Sequence, residues 1–586
     1  MIDGGRPDLA PSSPRLRRTA AEWLALFVLV VLTVQYSWLI DDSFVYFRFV
    51  DNALYAGRGL VYNAGEYVEG FSSPLWMLTL LVARAVGSGW WLAVRVLGVL
   101  SCVAFWALLV RVNRHVAPQG VAPFSLPLLL LATNYAVLCY FTSGVETPLV
   151  QVMAAVFALV VFRPQDRWPQ LAAGLGPLVR PELAVPWLLL VAWCGWRTRR
   201  VPWALLLSTL LTTGTWIALR IWYYAELLPN TFYLKNVNLL RQGVVYLLDT
   251  ANAYGLHWLL GAAATGFGLL AWSDRAAARR GFARPPLHLP ERVVLICLAA
   301  SVTAFVVKIG GDSRHYRYLA FPVCLAVAAT AGLPEHLVAR IRWRVPRVAP
   351  VVAALLVMGA VFTRYPRQLD RHPILGTLGS PIQVVRPDKG PSRRPVLIND
   401  AAAHRHHPDL ACPPWGGCDK VDRKTSYREA AVSAAQPPHR GLVVDFWCAG
   451  LYGRAQERAI HSLGLTEPFL ARAKVPHDRP GHKWDLVPMA RAIGHIELAA
   501  DNRPRIGSFR RAVESGIAPP WVSANLASIE VIERKVFNRH RFFENLRLAL
   551  TFPEPIDPRK GARRGAARRE RRQHPVLMGR HPADGG

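Results

Sequence analysis

Two adjacent carboxylates, Asp41 and Asp42, follow directly on the apolar run WLALFVLVVLTVQYSWLI at residues 23–40. Holding charge at the edge of a hydrocarbon phase is costly, so a carboxylate pair kept there points to acid/base or ion-binding chemistry on a lipid-linked substrate. One aspartate is placed to take a proton from a hydroxyl, a weak nucleophile that needs a base within hydrogen-bond reach. Its neighbour is left to hold geometry or to bind a divalent ion, Mg2+, Mn2+ or Ca2+. Adjacent helical residues point about 100 degrees apart, so the two take different roles unless the chain unwinds there.

The stretch that follows, DDSFVYFRFVDNALYAGRGLVYNAGEYVEGFSSPLW, sets Arg48, Asp51, Asn52, Glu66 and Glu69 among the aromatics Tyr46, Tyr62 and Tyr67. Carboxylates and amides accept hydroxyl hydrogen bonds and aromatic faces pack against sugar C–H groups, so this loop has the composition of a carbohydrate surface. A solvated amphipathic loop is the competing reading of Glu66 and Glu69.

The elements that must position this loop are membrane spans. Of 586 residues, 52% are apolar, and several runs exceed what a soluble core helix needs. The segments 23–40, 91–110, 121–139, 146–162, 168–180, 182–196, 201–222, 255–272, 293–307, 315–333 and 348–363 give about eleven spans. No small-residue cleavage pattern follows the first, which reads as a retained helix and not a signal peptide. A net charge of +30 does not imply nucleic acid, because the basic residues lie mostly in short loops and a terminal tail. The basic loops at 197–200, 275–292 and 340–347 alternate correctly if the N-terminus is cytoplasmic, as expected in a multi-pass protein of the plasma membrane. Segment 74–88 then reads as a helix lying along the outer face, since counting it as a crossing would move Arg111 and Arg114 outside.

The expected organisation is a cytoplasmic tail over 1–21, a polytopic helical domain over 22–364 with its first outer loop at 41–90, an extracytoplasmic mixed α/β domain over 365–550, and a basic tail over 551–586. The strand candidate GLVVDF lies at 441–446. Tail arginines such as Arg563 and Arg572 suit a disordered segment or contact with anionic lipid or wall polymer. Cys412 and Cys418 form either a small disulfide loop or free thiols. The run His404, His406 and His407 lacks a second pair with zinc spacing and is read as a loop. Trp415, Trp447 and Trp484 are assigned to core packing rather than to sugar stacking.

The loop sequence resembles the first outer loop of GT-C-type integral membrane glycosyltransferases, in the branch of the terminal arabinofuranosyltransferases. FTSGVETPL at 141–149, LVRPE at 178–182, YYAELLPNTFYLK at 223–235, GGDSRHYRYLAFP at 310–322, GLTEPFLAR at 464–472 and RPGHKWD at 479–485 are similar to the same branch, in the expected order. The resemblance covers nearly the whole chain apart from its tails. It implies a polyprenyl-phosphate sugar donor, decaprenyl-phosphate arabinose, a cell-wall arabinan polysaccharide as acceptor, and the lipid bilayer as setting. A β-linked product from a β-linked donor would require net retention.

On this reading Asp41 and Asp42 are the catalytic pair, with Asp312 a further candidate for a metal. A departing lipid phosphate needs cations, and Arg180, Lys235, Arg314 and Arg317 are the candidates. Arg317 opens a helix, where the backbone also favours an anion. Arg180 has the alternative of an internal pair with Glu182, and Lys235 of an interfacial anchor. Glu146, Asn230, Asp312 and His482 join the loop residues as acceptor or sugar contacts. Glu146 alternatively only favours a helix N-terminus, and Asp312 only completes a glycine turn. Transfer of a different polyprenyl-linked sugar to another glycan or protein is the nearest alternative function. A lipid-linked sugar flippase is the rival from another class, and the sequence offers no inverted repeat for it.

Overall fold

The computed structural model describes residues 14–118 apart from 36, 38 and 41, then 134–253, 256–279, 286–312, 316–340, 442–445, 452, 458–475 apart from 462, scattered positions between 486 and 496, and 505–560 apart from 539. Asp41, Arg314, His482, the 404–407 histidines, Cys412, Cys418, Trp415, Trp447, Trp484, the run 348–363 and most of 121–139 lie outside the described residues. The described chain is mostly helical and forms two compact units. The first draws on residues 1–50, 72–216 and 237–435, the second on 51–71, 217–236 and 436–586.

Among the described residues, four helices are long and apolar enough to cross a membrane: Trp90–Val116, Trp203–Tyr224, Leu289–Ile309 and Arg317–Leu337. Helix Thr147–Phe162 is shorter and is buried throughout except at Leu149 and Val152. A helix apolar on every side belongs in the middle of a bundle, and it packs against Trp90–Val116 and Ala320–Ala328. The run expected as one span over 168–180 is instead two short helices, Arg167–Ala173 and Gly176–Val179. Gly174, Gly176 and Pro177 interrupt it, by the usual effect of glycine and proline inside a helix. Segment 74–88 contains the helix Pro74–Ala85, which starts on Ser73, whose hydroxyl accepts from the Trp76 N–H at 3.4 Å.

The first unit has two chemically different ends. Helix Pro14–Gln35 lies antiparallel to Trp90–Val116, with Glu22 paired to Arg114 at 2.5 Å, Trp23 against Trp106, and Thr33 beside Cys102. His115 and Phe162 both pack on His288, and Arg197 reaches Glu291 at 3.7 Å. Arg114, Arg197 and Arg292 therefore share one end of the bundle, as the expectation for one membrane side requires. Helix Ser43–Leu54 starts at the other end, where Phe47 stacks on Trp90 at 4.1 Å.

In the second unit, residues 51–71 and 217–236 pack with C-terminal sequence. Strands Leu442–Asp445 and Arg458–His461 pair in parallel, in the register Val443 to Ala459; the first falls within the strand candidate at 441–446. Val68, Ile460, Phe469, Ile493, Phe509, Trp521, Ile529 and Ile532 form the apolar core. The Glu533 carboxylate accepts from the backbone N–H groups of Gly507 and Phe509, at 3.0 and 3.2 Å, and so fixes the entry to helix Ser508–Glu514.

Candidate active site

Five sequence candidates from four separate motifs come together in the first unit. Arg317 Nη1 donates to Asp42 Oδ2 at 2.5 Å and stands 3.7 Å from Asp312 Oδ2, while its Nη2 stands 3.7 Å from Glu146 Oε1. Arg180 Nη1 pairs with the same Glu146 oxygen at 2.5 Å and its Nε with Glu182. Tyr46 donates to the other Glu146 oxygen at 3.0 Å. Both guanidinium groups lie against the Tyr318 ring, Arg180 at 4.5 Å and Arg317 at 5.7 Å from its centroid.

Local sequence explains how each group is held. Gly310 and Gly311 both adopt positive φ, ending helix Leu289–Ile309 in a left-handed cap. A Cβ at Gly311 would run into the Tyr246 ring. Asp312 follows this turn, which brings its carboxylate within 3.7 Å of Arg317. Tyr316 has φ +66, an uncommon value for a bulky residue, and directly precedes Arg317. Its hydroxyl accepts from Gln151 Nε2 at 3.0 Å, which ties this backbone to the central helix. Glu146 occupies the N-cap of that helix but makes no side-chain cap bond, because its carboxylate is taken by Arg180, Arg317 and Tyr46.

Charge and exposure give the cluster its chemical character. Asp42, Glu146, Glu182 and Asp312 gather around the guanidinium groups of Arg180 and Arg317. Glu146 and Arg317 are only 1% and 6% exposed in their side chains, whereas Asp42 is 33% exposed. Asp42 is the member that solvent or a substrate reaches. Arg180 makes the Glu182 pair that its alternative reading expects and adds the Glu146 pair to it.

Of the remaining described candidates, Asp51, Asn52, Glu66, Glu69 and Asn230 are engaged elsewhere. Arg48 is buried. Asp51 accepts from the Tyr452 hydroxyl at 2.7 Å, and the Asn52 amide donates to the carbonyls of Val61 and Tyr62, both at 2.9 Å. Glu66 pairs with Arg458 and accepts from Asn63 at 3.0 Å, and Glu69 takes both Arg220 Nε and, at 3.1 Å, Arg220 Nη2. Asn230 donates to the carbonyls of Gly464 and Leu465 and accepts from Arg472 at 3.3 Å. Lys235 is half-buried in the last turn of helix Asn230–Lys235. Tyr46 and Tyr62 are buried, so their faces do not form an open stacking surface.

Sequence reasoning missed the partners in the second unit. Glu226 joins Arg472 and, at 3.1 Å, Lys535, while Arg458 bridges Glu66 and Glu467. Burial pushes the Lys535 ammonium down, opposed by Glu226. Burial also raises the Glu467 carboxyl to about 7, against the pull of Arg458 and with the push of Glu66. GLTEPFLAR contained two of these groups, Glu467 and Arg472, but nothing in it named their partners.

No family model matches the chain, and no solved structure matches it. It is 28% identical over 356 residues to a terminal beta-(1->2)-arabinofuranosyltransferase of Mycobacterium tuberculosis, covering 53% of this chain and 56% of that protein. It is 26% identical over 354 residues to a protein of the same name from Corynebacterium glutamicum, covering 52% of this chain and 49% of that one. The match spans about half the length of these curated relatives. The chain, which has apolar helices of spanning length, is thus similar over about half of its length to the terminal arabinofuranosyltransferases.

Proposed function

We propose that the chain is a membrane glycosyltransferase that moves D-arabinofuranose from a polyprenyl-phosphate donor, decaprenyl-phosphate arabinose, to an arabinan acceptor on the outer face of the plasma membrane. The observation that carries this reading is a half-exposed carboxylate, Asp42, resting on an otherwise buried cluster of ion pairs at the end of the bundle opposite Arg114. Its relatives' names supply the sugar, and the spanning helices supply a route by which a polyprenyl chain stays in lipid while its phosphosugar meets the cluster. The N-terminus is then cytoplasmic and the second unit extracytoplasmic.

The proposed chemistry follows from the geometry. Asp42 takes the proton of an acceptor hydroxyl, the hydroxyl oxygen forms a bond to the anomeric carbon, and the bond from that carbon to the phosphate oxygen breaks with its electrons moving to the phosphate. Asp42 loses its charge on taking the proton, which weakens its hold on Arg317. The freed guanidinium then meets the negative charge growing on the phosphate, for which its planar fork is suited. Arg180 is held by Glu146 and Glu182, and it keeps Glu146 in place beneath Arg317.

Asp42 and Asp312 both reach Arg317, and with Asp41 next in sequence they would be the oxygen donors for a divalent cation, which would supply further stabilisation of phosphate charge. Among the described residues no group of three potential ligands has metal spacing. In this reading Glu66, Glu69, Asn52 and Asn230 shape the second unit for the acceptor and do not touch it directly.

The test is transfer by membranes carrying Asp42→Asn, supplied with polyprenyl-phosphate pentose and an oligoarabinoside. Loss of transfer at unchanged protein amount is expected, and full activity overturns the role of Asp42. Hexose donors in the same assay decide the sugar class.

A further inference from the structure

The second unit contains an apolar face beside the end of a candidate membrane span. Helix Phe542–Ala549 buries Asn545 and Ala549 and exposes Phe543, which is 84% accessible. Leu550, one helical repeat of seven after Phe543, is 57% accessible, and Phe552 is 63% accessible. Isolated exposed apolar residues need no explanation, but two phenylalanines and a leucine on one short stretch do.

What lies next to this stretch identifies the occupant. The Asn545 amide donates to the Trp222 carbonyl at 2.6 Å, and the Asn538 amide to the Tyr223 carbonyl at 3.1 Å. Between these two bonds, the His540 ring stacks on Tyr223 at 4.7 Å. Trp222 and Tyr223 are in the last turn of the span Trp203–Tyr224, where aromatic residues mark the boundary between hydrocarbon and headgroups. A helix bonded to that turn is held at headgroup depth. Its exposed neighbour Arg547, and Arg559 shortly after, offer cations to anionic lipid, while Arg541 and Lys560 also pair with Glu544 and Glu554 at 3.7 and 3.4 Å. The sequence continues with Arg563, Arg564, Arg568, Arg569, Arg571 and Arg572.

We propose that Phe543, Leu550 and Phe552 insert into the interfacial layer of an anionic phospholipid bilayer, and that this contact seats the second unit on the membrane surface. An apolar face flanked by arginines on a helix lying in the interface is the form such contacts take.

The full chain is reconstituted in nanodiscs of mixed phosphatidylglycerol and phosphatidylcholine, with a benzophenone amino acid placed singly at Phe543, Phe552 or, as a control, Arg510, which is exposed in the same unit. Each position is exposed, so folding is not at stake. Irradiation is expected to give lipid adducts at 543 and 552 and to lose them at 510. Absence of lipid adducts at 543 and 552, or crosslinks there to a second copy of the chain in place of lipid, overturns the proposal. Adduct yield at 543 is expected to fall when the discs contain phosphatidylcholine alone, and an unchanged yield overturns the requirement for anionic lipid.

Discussion

Each unit holds a cluster of ion-paired carboxylates, and the two clusters differ in what can reach them. In the second unit Glu66, Glu69, Glu226 and Glu467 face Arg220, Arg458, Arg472 and Lys535, so four negative charges meet four positive ones. In the first, Asp42, Glu146, Glu182 and Asp312 gather around Arg180 and Arg317. No side chain of the second unit's set is more than 13% exposed, whereas the first unit's set opens at Asp42, which is 33% exposed. A closed set of pairs acts as a clasp between distant segments. A set with one reachable carboxylate keeps capacity for a proton, a cation or a substrate.

The contrast is broken most severely if Asp42→Asn leaves transfer intact. A general base contributes on the order of 10²–10⁴ in rate, so a loss of that size at constant protein amount is expected in the membrane assay. Glu226→Gln in the closed set should act on stability instead. It leaves Arg472 and Lys535 buried without their carboxylate, which costs about 3–5 kcal/mol and is read as a lower midpoint of thermal unfolding in detergent. Transfer per folded molecule should not change; a specific loss of kcat at full stability would move Glu226 into the machinery. Arg317→Lys keeps the charge but loses the fork that reaches Asp42, Glu146 and Asp312, and a loss of transfer beyond what any lowered unfolding midpoint accounts for is expected in the membrane assay.

The smallest expected effect concerns Glu467. Its carboxyl is raised from 4.5 to about 7 by burial and by Glu66, with Arg458 opposing. The folded state therefore keeps a proton that the unfolded state releases, and stability declines as pH rises from 4.5 to about 7 and is flat beyond. Glu467→Gln should remove this part of the decline and raise the unfolding midpoint above pH 7 relative to the parent chain. An identical pH profile in parent and variant would refute it.

Much of the first cluster was legible in the sequence because each member sits in a short, chemically odd motif: DD after an apolar run, ETP before a helix, RPE at a helix break, and GGD at a glycine turn. Each motif places a charge where apolar sequence stops, and such boundaries are visible without a structure. The closed set was not legible. Glu66 and Arg458 lie far apart in the chain, as do Glu69 and Arg220, and a buried ion pair leaves no periodic trace. The same limit explains why Glu66 and Glu69 read as sugar contacts: a glutamate among aromatics has one appearance whether it faces solvent or a hidden arginine. Spans were legible where apolar runs are unbroken, as at 91–110 within helix Trp90–Val116, and misled at 168–180, where Gly174 and Pro177 divide the run.

Asn63 has a further consequence. Its side-chain amide bonds both the N–H and the carbonyl of Ala459, at 2.9 and 3.0 Å, along strand Arg458–His461. One residue thereby occupies hydrogen-bonding positions that an added strand would need, and at that point a foreign chain finds no template to extend the two-stranded sheet. A lone amide imposes no register on its flanks. Residues 64 and 65 close a turn in which the Glu66 N–H donates to the Asn63 carbonyl at 3.2 Å, so its own loop keeps the amide against the strand.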